Sequence, residues 1–207
     1  MARSFAAERV SVEDVPDVSA EWYLDLAGVG AGWPAVVRVG AAIATEAVIG
    51  VFAVLFLVVW WRARGRDAGV MARALVGPVV TVVAYLVSEA VKGVWREERP
   101  CRVLGEVVTV VACPEVGDWS FPSNHATIAG AAAVGLAWSG WRVGFVPAAV
   151  AAASRVFVGV HYPHDVVAGL ALGAGIGLLV PVVARLVTPV VVRLRAGGAG
   201  AVLLGGR

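Results

Sequence analysis

The sequence predicts an all-α fold, a polytopic bundle of transmembrane helices with five to six spans. Its 207 residues are 59% hydrophobic and only 15% charged, and the mean hydropathy is +0.83. Soluble domains carry about 25% charged residues, so this balance indicates a protein of the lipid bilayer. Several apolar runs also reach the roughly 17–25 residues that a helix needs to cross a membrane.

Five apolar runs are the candidate spans: residues 39–61, 70–95, 126–138, 143–160 and 166–186. The third run is short for a span. The segment before the first run, residues 18–33, is amphipathic. We expect this segment to lie along the membrane interface or to form a partial sixth helix.

The domain organisation follows from these runs. We expect an interfacial segment over residues 1–33, one transmembrane domain over residues 34–195 and a flexible, Gly-rich tail over residues 196–207. The N-terminus lacks an apolar core, so we expect no cleavable signal peptide. Within the last span, Gly169, Gly173 and Gly177 recur every four residues, a spacing that lets a neighbouring helix pack closely.

Charge decides the sidedness and excludes one class of partner. The net charge of +2 is too small to indicate nucleic acid, so the expected partners are the bilayer and a lipid substrate, with the oligomeric state left open. Arginines crowd the first loop and the C-terminal tail, at positions 62, 64, 66, 73, 185, 193, 195 and 207. Cytoplasmic loops carry an excess of such residues, so these arginine-rich segments should be cytoplasmic. We therefore expect the loops at the other ends of the spans, the 96–121 loop and the 160–165 turn, to face outward from the plasma membrane.

Polar residues that are rare in this chain fall at the outer ends of the predicted spans. They are Lys92, the only lysine, with Arg99, Ser123, Asn124, His125, Arg155, His161 and Asp165. Lysine and arginine donate charge-assisted hydrogen bonds to phosphate oxygens. The start of the third span adds free backbone N–H groups, which favour an anion. This convergence predicts a phosphate site at the outer membrane face.

The histidines supply the chemistry at this site. Pro163 fits the first turn of the fifth span, which leaves His161 just before the helix and Asp165 in its opening turn. From there Asp165 can hold one imidazole nitrogen of His161 and aim the other at phosphorus. His125 is then placed to protonate the leaving oxygen.

Three segments together resemble the signature of the type 2 phosphatidic acid phosphatase superfamily. They run from Lys92 to Pro100, from Pro122 to His125 and from Ser154 to Asp165. The spacings match throughout, and the one departure is Asn124, where the family usually has glycine. The resemblance covers about residues 85–190.

The resemblance implies a helical bundle that hydrolyses a lipid phosphate through a phosphohistidine on His161, with His125 as acid and later base. It implies phosphate binding by Lys92, Arg99, Ser123, Asn124, His125 and Arg155, and it implies no metal or other cofactor. No grouping of His, Cys or carboxylates in the sequence predicts a zinc or magnesium site.

Each of these residues also has a simpler explanation. Lys92 and Arg99 are placed as interfacial cations that extend toward water, and Asp165 suits the dipole of a helix start. Arg155 is harder to explain in this way, because arginine within a span is costly. The joint spacing favours the site.

The leading interpretation is an extracytoplasmic polyprenyl (undecaprenyl-type) diphosphate phosphatase of cell-wall synthesis. Phosphatidic acid and phosphatidylglycerophosphate phosphatases share the same pocket residues and stay open as alternatives. A non-catalytic lipid-binding protein would need a broken motif, and none is broken here. The vanadium haloperoxidases are more distant relatives that are soluble and longer.

Five further residues have individual predictions. Glu89 lies one helical turn before Lys92 and is expected to orient it. Glu46, within the first span, should face protein or water, with its role open. His164 is expected at the rim of the site. Cys101 and Cys113, the only cysteines, lie in an outward loop and are expected to form a disulfide, with a short hairpin between them.

Overall fold

The structure, a computed structural model, describes residues 15–104 and 108–205, without the side chains of 198 and 199. The described residues contain helices and no β-strand, as the sequence predicts. The helices are α1 (Asp17–Ala31), α2 (Ala35–Ala63), α3 (Ala68–Trp95), α4 (Pro100–Val103), α5 (Asn124–Trp138), α6 (Phe145–Phe157), α7 (Pro163–Gly177), α8 (Val180–Arg195) and α9 (Gly198–Leu204). One 3₁₀ turn, Arg142–Gly144, precedes α6.

Three helical segments of the described ranges are long and apolar enough to cross a membrane: Ala35–Ala63, Ala68–Val103 and Pro163–Arg195. This count is smaller than the five to six spans expected. Helices α5 and α6 have 15 and 13 residues, fewer than the about 20 that a perpendicular helix needs. The run at 166–186 is also divided, because a turn at Leu178 and Leu179 separates α7 from α8.

The outer surfaces of α2 and α3 are apolar over much of their length, although Glu46 and Glu89 are exposed. On α2, for example, Val54 and Leu57 are 58% and 61% exposed, and on α3 Val79 is 60% exposed. A water-soluble surface would not keep a continuous apolar area of this size. These faces therefore fit a hydrocarbon environment, while the opposite faces of α2 and α3 enter one core with α5 and α8.

Helix α1 has one buried face and one exposed apolar face. Tyr23 and Ala27 are buried against the bundle, and the Tyr23 hydroxyl donates to the Gly159 carbonyl at 3.0 Å. Trp22 and Val29, on the other face, are 59% and 55% exposed. This two-sided helix has the form expected for the interfacial part of residues 1–33, of which residues 1–14 lie outside the described ranges.

Helices α5 and α7 pack more closely than any other pair in the described part of the chain. Glycines on α7 allow the contact, as the four-residue spacing predicts. A Cβ on Gly169 would lie 2.5 Å from the Ser123 carbonyl oxygen, and one on Gly173 would overlap the Thr127 carbonyl. This contact sets the start of α5, and with it Ser123 and His125, against the start of α7.

The connection between α3 and α5 carries the predicted disulfide. Cys101, on α4, is bonded to Cys113, and their Cα atoms are 5.9 Å apart. We expected a hairpin between the two cysteines. The described residues of this segment after position 107 are irregular, and residues 105–107 lie outside the described ranges. The loop is tied to the bundle instead, since the Val110 N–H donates to the Val158 carbonyl.

The C-terminal segment differs from the flexible tail that we expected. It contains α9, in which Leu204 is buried against the core. Two arginines fix it: Arg195 Nε donates to the Leu204 carbonyl at 2.8 Å, and Arg64 Nη2 donates to the Val202 carbonyl at 2.5 Å. The expectation of a loose tail came from its glycine content. The hydrogen bonds from Arg64 and Arg195 join residues far apart in the sequence, so local composition does not indicate them.

Candidate active site

The structure brings the eight predicted site residues to one end of the bundle. Each comes from the end of a helix or the connection beside it. Lys92 lies in the last turn of α3, Arg99 precedes α4, and Arg155 lies in the last turn of α6. The other five lie at the start of α5, in the α6–α7 connection and in the first turn of α7: Ser123, Asn124, His125, His161 and Asp165. Ser123, not Asn124, is the N-cap of α5.

His161 and Asp165 form a buried pair, with 2% and 0% of their surface exposed. Nδ1 of His161 lies 3.2 Å from Oδ2 of Asp165. The same carboxylate oxygen accepts from the Tyr162 backbone N–H at 2.9 Å and from the Ser120 hydroxyl. A carboxylate on Nδ1 places the imidazole proton there, so the lone pair of His161 is on Nε2.

Nε2 of His161 faces a guanidinium. Nη1 of Arg99 lies 3.1 Å from this nitrogen and also donates to the Val160 carbonyl at 2.9 Å. His161 lies in the α6–α7 connection, outside the membrane-length segments. Burial lowers the pKa of His161 from 6.5 to about 3, against the opposing effect of Asp165. The ring is therefore neutral near neutral pH, and its Nε2 lone pair accepts a hydrogen bond from Arg99.

The three predicted phosphate-binding cations are all buried, and each has a carboxylate partner. Asp118 Oδ1 lies 3.3 Å from Lys92 Nζ and 2.9 Å from Arg99 Nη2. Arg155 Nη1 lies 3.1 Å from Glu46 Oε1. Burial acts to raise the pKa of Asp118, but the hydrogen bond and charge of Arg99, with Lys92, outweigh it and hold that pKa below its usual range.

The two carboxylates are more accessible than the cations they contact. The Asp118 side chain is 50% exposed and the Glu46 side chain 67%, whereas those of Lys92, Arg99 and Arg155 are 8% exposed or less. The cations therefore line the interior of the site, and the carboxylates lie at its opening. An anion that enters must compete with Asp118 and Glu46 for them.

The start of α5 supplies the remaining groups. His125 Nε2 lies 3.3 Å from Glu46 Oε2, so a proton on this nitrogen is directed at that carboxylate. The Asn124 side chain accepts from Ser88 at 2.7 Å and donates to Glu89. The Ser123 N–H donates to the Asp165 carbonyl at 3.1 Å. The buried Ser123 hydroxyl has no hydrogen-bond partner in the described part of the chain.

One individual prediction was wrong. Glu89 does not orient Lys92: it contacts Asn124, and Asp118 holds the lysine instead. His164, expected at the rim of the site, keeps 22% of its side chain exposed, and its ring contacts Glu97, Asp165 and Ser19. The sequence offered no signal for either contact, since Asp118 and Ser19 come from distant loops and helices. Ser120, which donates to Asp165, was missed for the same reason.

One grouping of donor atoms also corrects a prediction. The sequence pattern predicts no cluster of His, Cys or carboxylates, yet donor atoms of Glu97, His164 and Asp165 lie within 4.8 Å of one another. These groups bond directly to one another, with His164 Nε2 3.1 Å from Glu97 Oε2. Contacts among the three side chains thus account for their proximity.

The comparisons with known proteins agree with the motif positions. The sequence model of the PAP2 superfamily matches residues 73–188. An undecaprenyl-diphosphatase of Sulfolobus acidocaldarius is 37% identical over 47% of this chain and 48% of its own length. A lipid A 1-phosphatase of Rhizobium johnstonii is 49% identical over 31% of this chain and 28% of its own.

A third relative is matched over more of its length. The undecaprenyl-diphosphatase BcrC of Bacillus subtilis is 30% identical over 65% of this chain and 68% of its own length. For the first two relatives the matched share is about half or less. No solved structure matches the chain. The family model covers more than half of the sequence and contains every predicted site residue, so the chain belongs to the PAP2 superfamily.

Proposed function

We propose that this protein is a metal-independent membrane phosphatase that hydrolyses a polyprenyl diphosphate of the undecaprenyl type to the monophosphate. One observation carries the proposal: Nε2 of buried, neutral His161 lies beside Arg99, while Asp165 holds Nδ1. An unprotonated imidazole nitrogen beside a guanidinium that can bind phosphate supports attack on a bound phosphate, which takes over the Arg99 N–H that Nε2 accepts in its absence.

The first chemical step forms a phosphohistidine. Lys92, Arg99 and Arg155 hold the terminal phosphate, with Ser123 and Asn124 at the start of α5. Nε2 of His161 attacks phosphorus as the bond to the bridging oxygen breaks. His125 gives its proton to that oxygen, and the lipid monophosphate leaves. Burial lowers the pKa of His125 from 6.5 to about 4, and the contact with Glu46 at 3.3 Å acts in the opposite direction, toward the protonated ring that this step needs.

The second step restores the enzyme. His125, now neutral, accepts a proton from water, whose oxygen attacks the phosphohistidine. The P–N bond breaks, the electron pair returns to Nε2 of His161, and inorganic phosphate is released. Three cations supply the positive charge that stabilises both transition states. The proposal therefore includes no metal and no other cofactor.

An apolar groove supports a lipid as the substrate. It has a volume of about 620 Å³ between α2 and α3, and Phe52, Phe56 and Trp60 line it. Its upper end is bounded by Ile49 and Ile128, one helical turn from Glu46 and His125. From Ile49 to Trp60 an α-helix rises about 16 Å. A hydrocarbon chain in this groove would place its phosphate at the site.

The proposal includes a location and a topology. We place the site at the outer face of the plasma membrane. The arginine-rich loop and tail lie at the opposite ends of the helices from the site residues, and such arginine-rich segments are typical of the cytoplasmic side. We take α5 and α6 as short spans that local thinning of the bilayer accommodates, so the chain crosses the bilayer five times, and α1 adds a sixth, interfacial helix. Residues 34–195 form the phosphatase domain.

Phosphate release from purified protein tests the proposed function. The protein is offered undecaprenyl diphosphate, phosphatidic acid and phosphatidylglycerophosphate in parallel, each with and without EDTA. We expect the diphosphate to be the best substrate, the rate to be unchanged by EDTA, and vanadate to inhibit. His161→Ala serves as the inactive control. A preference for one of the phospholipids would mean that this phospholipid, and not the diphosphate, is the substrate. Loss of activity with EDTA and its recovery with magnesium would refute the mechanism.

A further inference from the structure

The catalytic Asp165 has a neighbour that the proposed chemistry does not use. Its Oδ2 serves His161, Tyr162 and Ser120, whereas its Oδ1 lies 3.3 Å from Nε2 of His164. The same His164 nitrogen lies 3.1 Å from Oε2 of Glu97. Side-chain exposure is 0% for Asp165 and 4% for Glu97. Two buried carboxylates therefore converge on one imidazole nitrogen.

The contact with Glu97 shows where a proton of His164 lies. Nε2 lies 3.1 Å from Oε2 of Glu97, and a carboxylate only accepts, so this nitrogen carries a proton and donates it to Glu97. Ser19 of α1 places its hydroxyl oxygen 2.8 Å from Nδ1 of His164, where either group can be the donor, and the same oxygen accepts from the His164 backbone N–H at 3.3 Å. Oδ1 of Asp165 lies beside Nε2 but has no hydrogen bond of its own within the described residues.

Aromatic packing fixes the ring in this position. Tyr162 and Phe121 stack on His164, with ring centroids 5.5 Å and 5.9 Å away and interplanar angles of 24° and 25°. Glu97 is held separately, because its carbonyl accepts from the Ser120 N–H at 2.7 Å. Both members of the Glu97–His164 pair are thus fixed relative to the catalytic residues by contacts other than their own.

We propose that the Glu97–His164 pair positions Asp165, and through it the His161 nucleophile. The effect of this pair on the rate of hydrolysis rests on the proposed function. The Nε2–H of His164, donated to Glu97, lies within 3.3 Å of Oδ1 of Asp165 and keeps the two carboxylates apart, so Oδ2 stays directed at Nδ1 of His161. Without that N–H, two buried carboxylates would face each other with no hydrogen between them, and Asp165 would turn away. Neither Glu97 nor His164 contacts the three phosphate-binding cations.

Matched variants separate positioning from structure. His164→Phe keeps a ring between Tyr162 and Phe121 but removes the N–H, and Glu97→Gln removes the charge. His164→Gln can restore a donor near the Nε2 position. Glu98→Gln is the control, because Glu98 is the adjacent carboxylate in sequence and pairs with Arg102 at 3.2 Å near the surface.

We expect kcat to fall about 10- to 100-fold in His164→Phe and Glu97→Gln, since small misplacements of a reacting group have effects of this size. KM should stay within about twofold, because phosphate contacts are unchanged. His164→Gln should recover part of the rate, and Glu98→Gln should match the wild type. A kcat within about twofold of wild type in both variants, or an equal rise in KM with unchanged kcat, would overturn the positioning role.

A second readout needs no turnover. The chain has three histidines, so ¹⁵N-histidine NMR of the intact protein in detergent resolves each ring, assigned by single substitutions. We expect His161 to carry its proton on Nδ1 in the wild type and Glu98→Gln, and to show mixed tautomers in His164→Phe. An unchanged His161 tautomer in that variant contradicts the proposal even where no substrate is turned over. Failure to hydrolyse any lipid phosphate would instead refute the proposed function.

Discussion

At the scale of the residue, burial affects the cations of the site and its histidine in different ways. The cations Lys92, Arg99 and Arg155 are buried but paired, which offsets the cost of removing them from water. His161 is buried and responds by staying neutral. The same burial that would penalise a charged imidazole therefore keeps the ring unprotonated at neutral pH, as the proposed nucleophile must be.

The depressed pKa of His161 gives a pH-dependent stability. The pKa of the folded state, about 3, lies below the value of 6.5 expected for the unfolded chain. Between these values the unfolded state binds the extra proton, so the free energy of unfolding falls as pH decreases through this window, by at most about 1.4 kcal/mol per pH unit.

Thermal unfolding in detergent at pH 7 and pH 5 measures this contribution. We expect the Tm of wild type to fall more than that of His161→Gln, which has no proton to gain at this position. Equal decreases in the two proteins would show that His161 is not held neutral by the fold.

The sequence predicts the reacting residues of the site better than the residues that support them. His125, His161 and Asp165 were found because fixed spacings place them at helix ends. Asp118, Glu97 and His164 act through contacts made only when the α3–α5 loop folds over α7. Such contacts leave no periodic pattern, since their partners are far apart in the chain.

At the scale of the element, the α5–α7 contact determines where the second and third motifs meet. Gly169 was predicted to allow close packing, and a Cβ there would lie 3.0 Å from the Ala126 Cβ and 2.5 Å from the Ser123 carbonyl oxygen. Helix lengths were predicted less well. The division between α7 and α8 falls beside Pro181, which has no N–H to donate to the preceding turn, but the run is uncharged and apolar, so hydropathy alone reads it as one span.

Substitution of the packing glycines tests this contact. Gly173→Ala adds a methyl group against the Thr127 carbonyl, where backbone cannot yield easily, so α5 and α7 must separate. We expect a loss of about 1–3 kcal/mol in stability and a loss of activity. Gly175→Ala is the control, because no atom lies within 4 Å of its added Cβ. Equal Tm values for both variants would contradict the packing.

The disulfide acts on the loop that carries Arg99 and Asp118. Closing a loop of about a dozen residues contributes roughly 3 kcal/mol in the chain-entropy model. We expect Cys101→Ser and Cys113→Ser to lower Tm alike, and reduction of the wild type to give the same decrease. Intact-mass measurement after alkylation without reductant is the check: two alkyl groups on the freshly purified, folded protein would mean that no bridge forms.

At the scale of the whole molecule, the arginine distribution and the site lie at opposite ends of the predicted bundle. We therefore expect the site to open outward. A cysteine introduced at Gly117, in a background with Cys101 and Cys113 replaced by serine, should react with a membrane-impermeant maleimide on intact cells. A cytoplasmic-loop cysteine at Gly65 should react only after lysis. The reverse pattern would place the site in the cytoplasm and remove the lipid-carrier function.

The central claim is that His161 forms the covalent intermediate, and trapping that intermediate tests it most directly. Purified protein is quenched during turnover of a substrate with a labelled terminal phosphate, and the modified residue is located by mass spectrometry. We predict an acid-labile, base-stable phosphate on His161, none in His161→Ala, and persistent labelling of His125→Ala by a substrate with a good leaving group. Steady-state turnover by His161→Ala, or a phosphate found on another residue, would contradict the account.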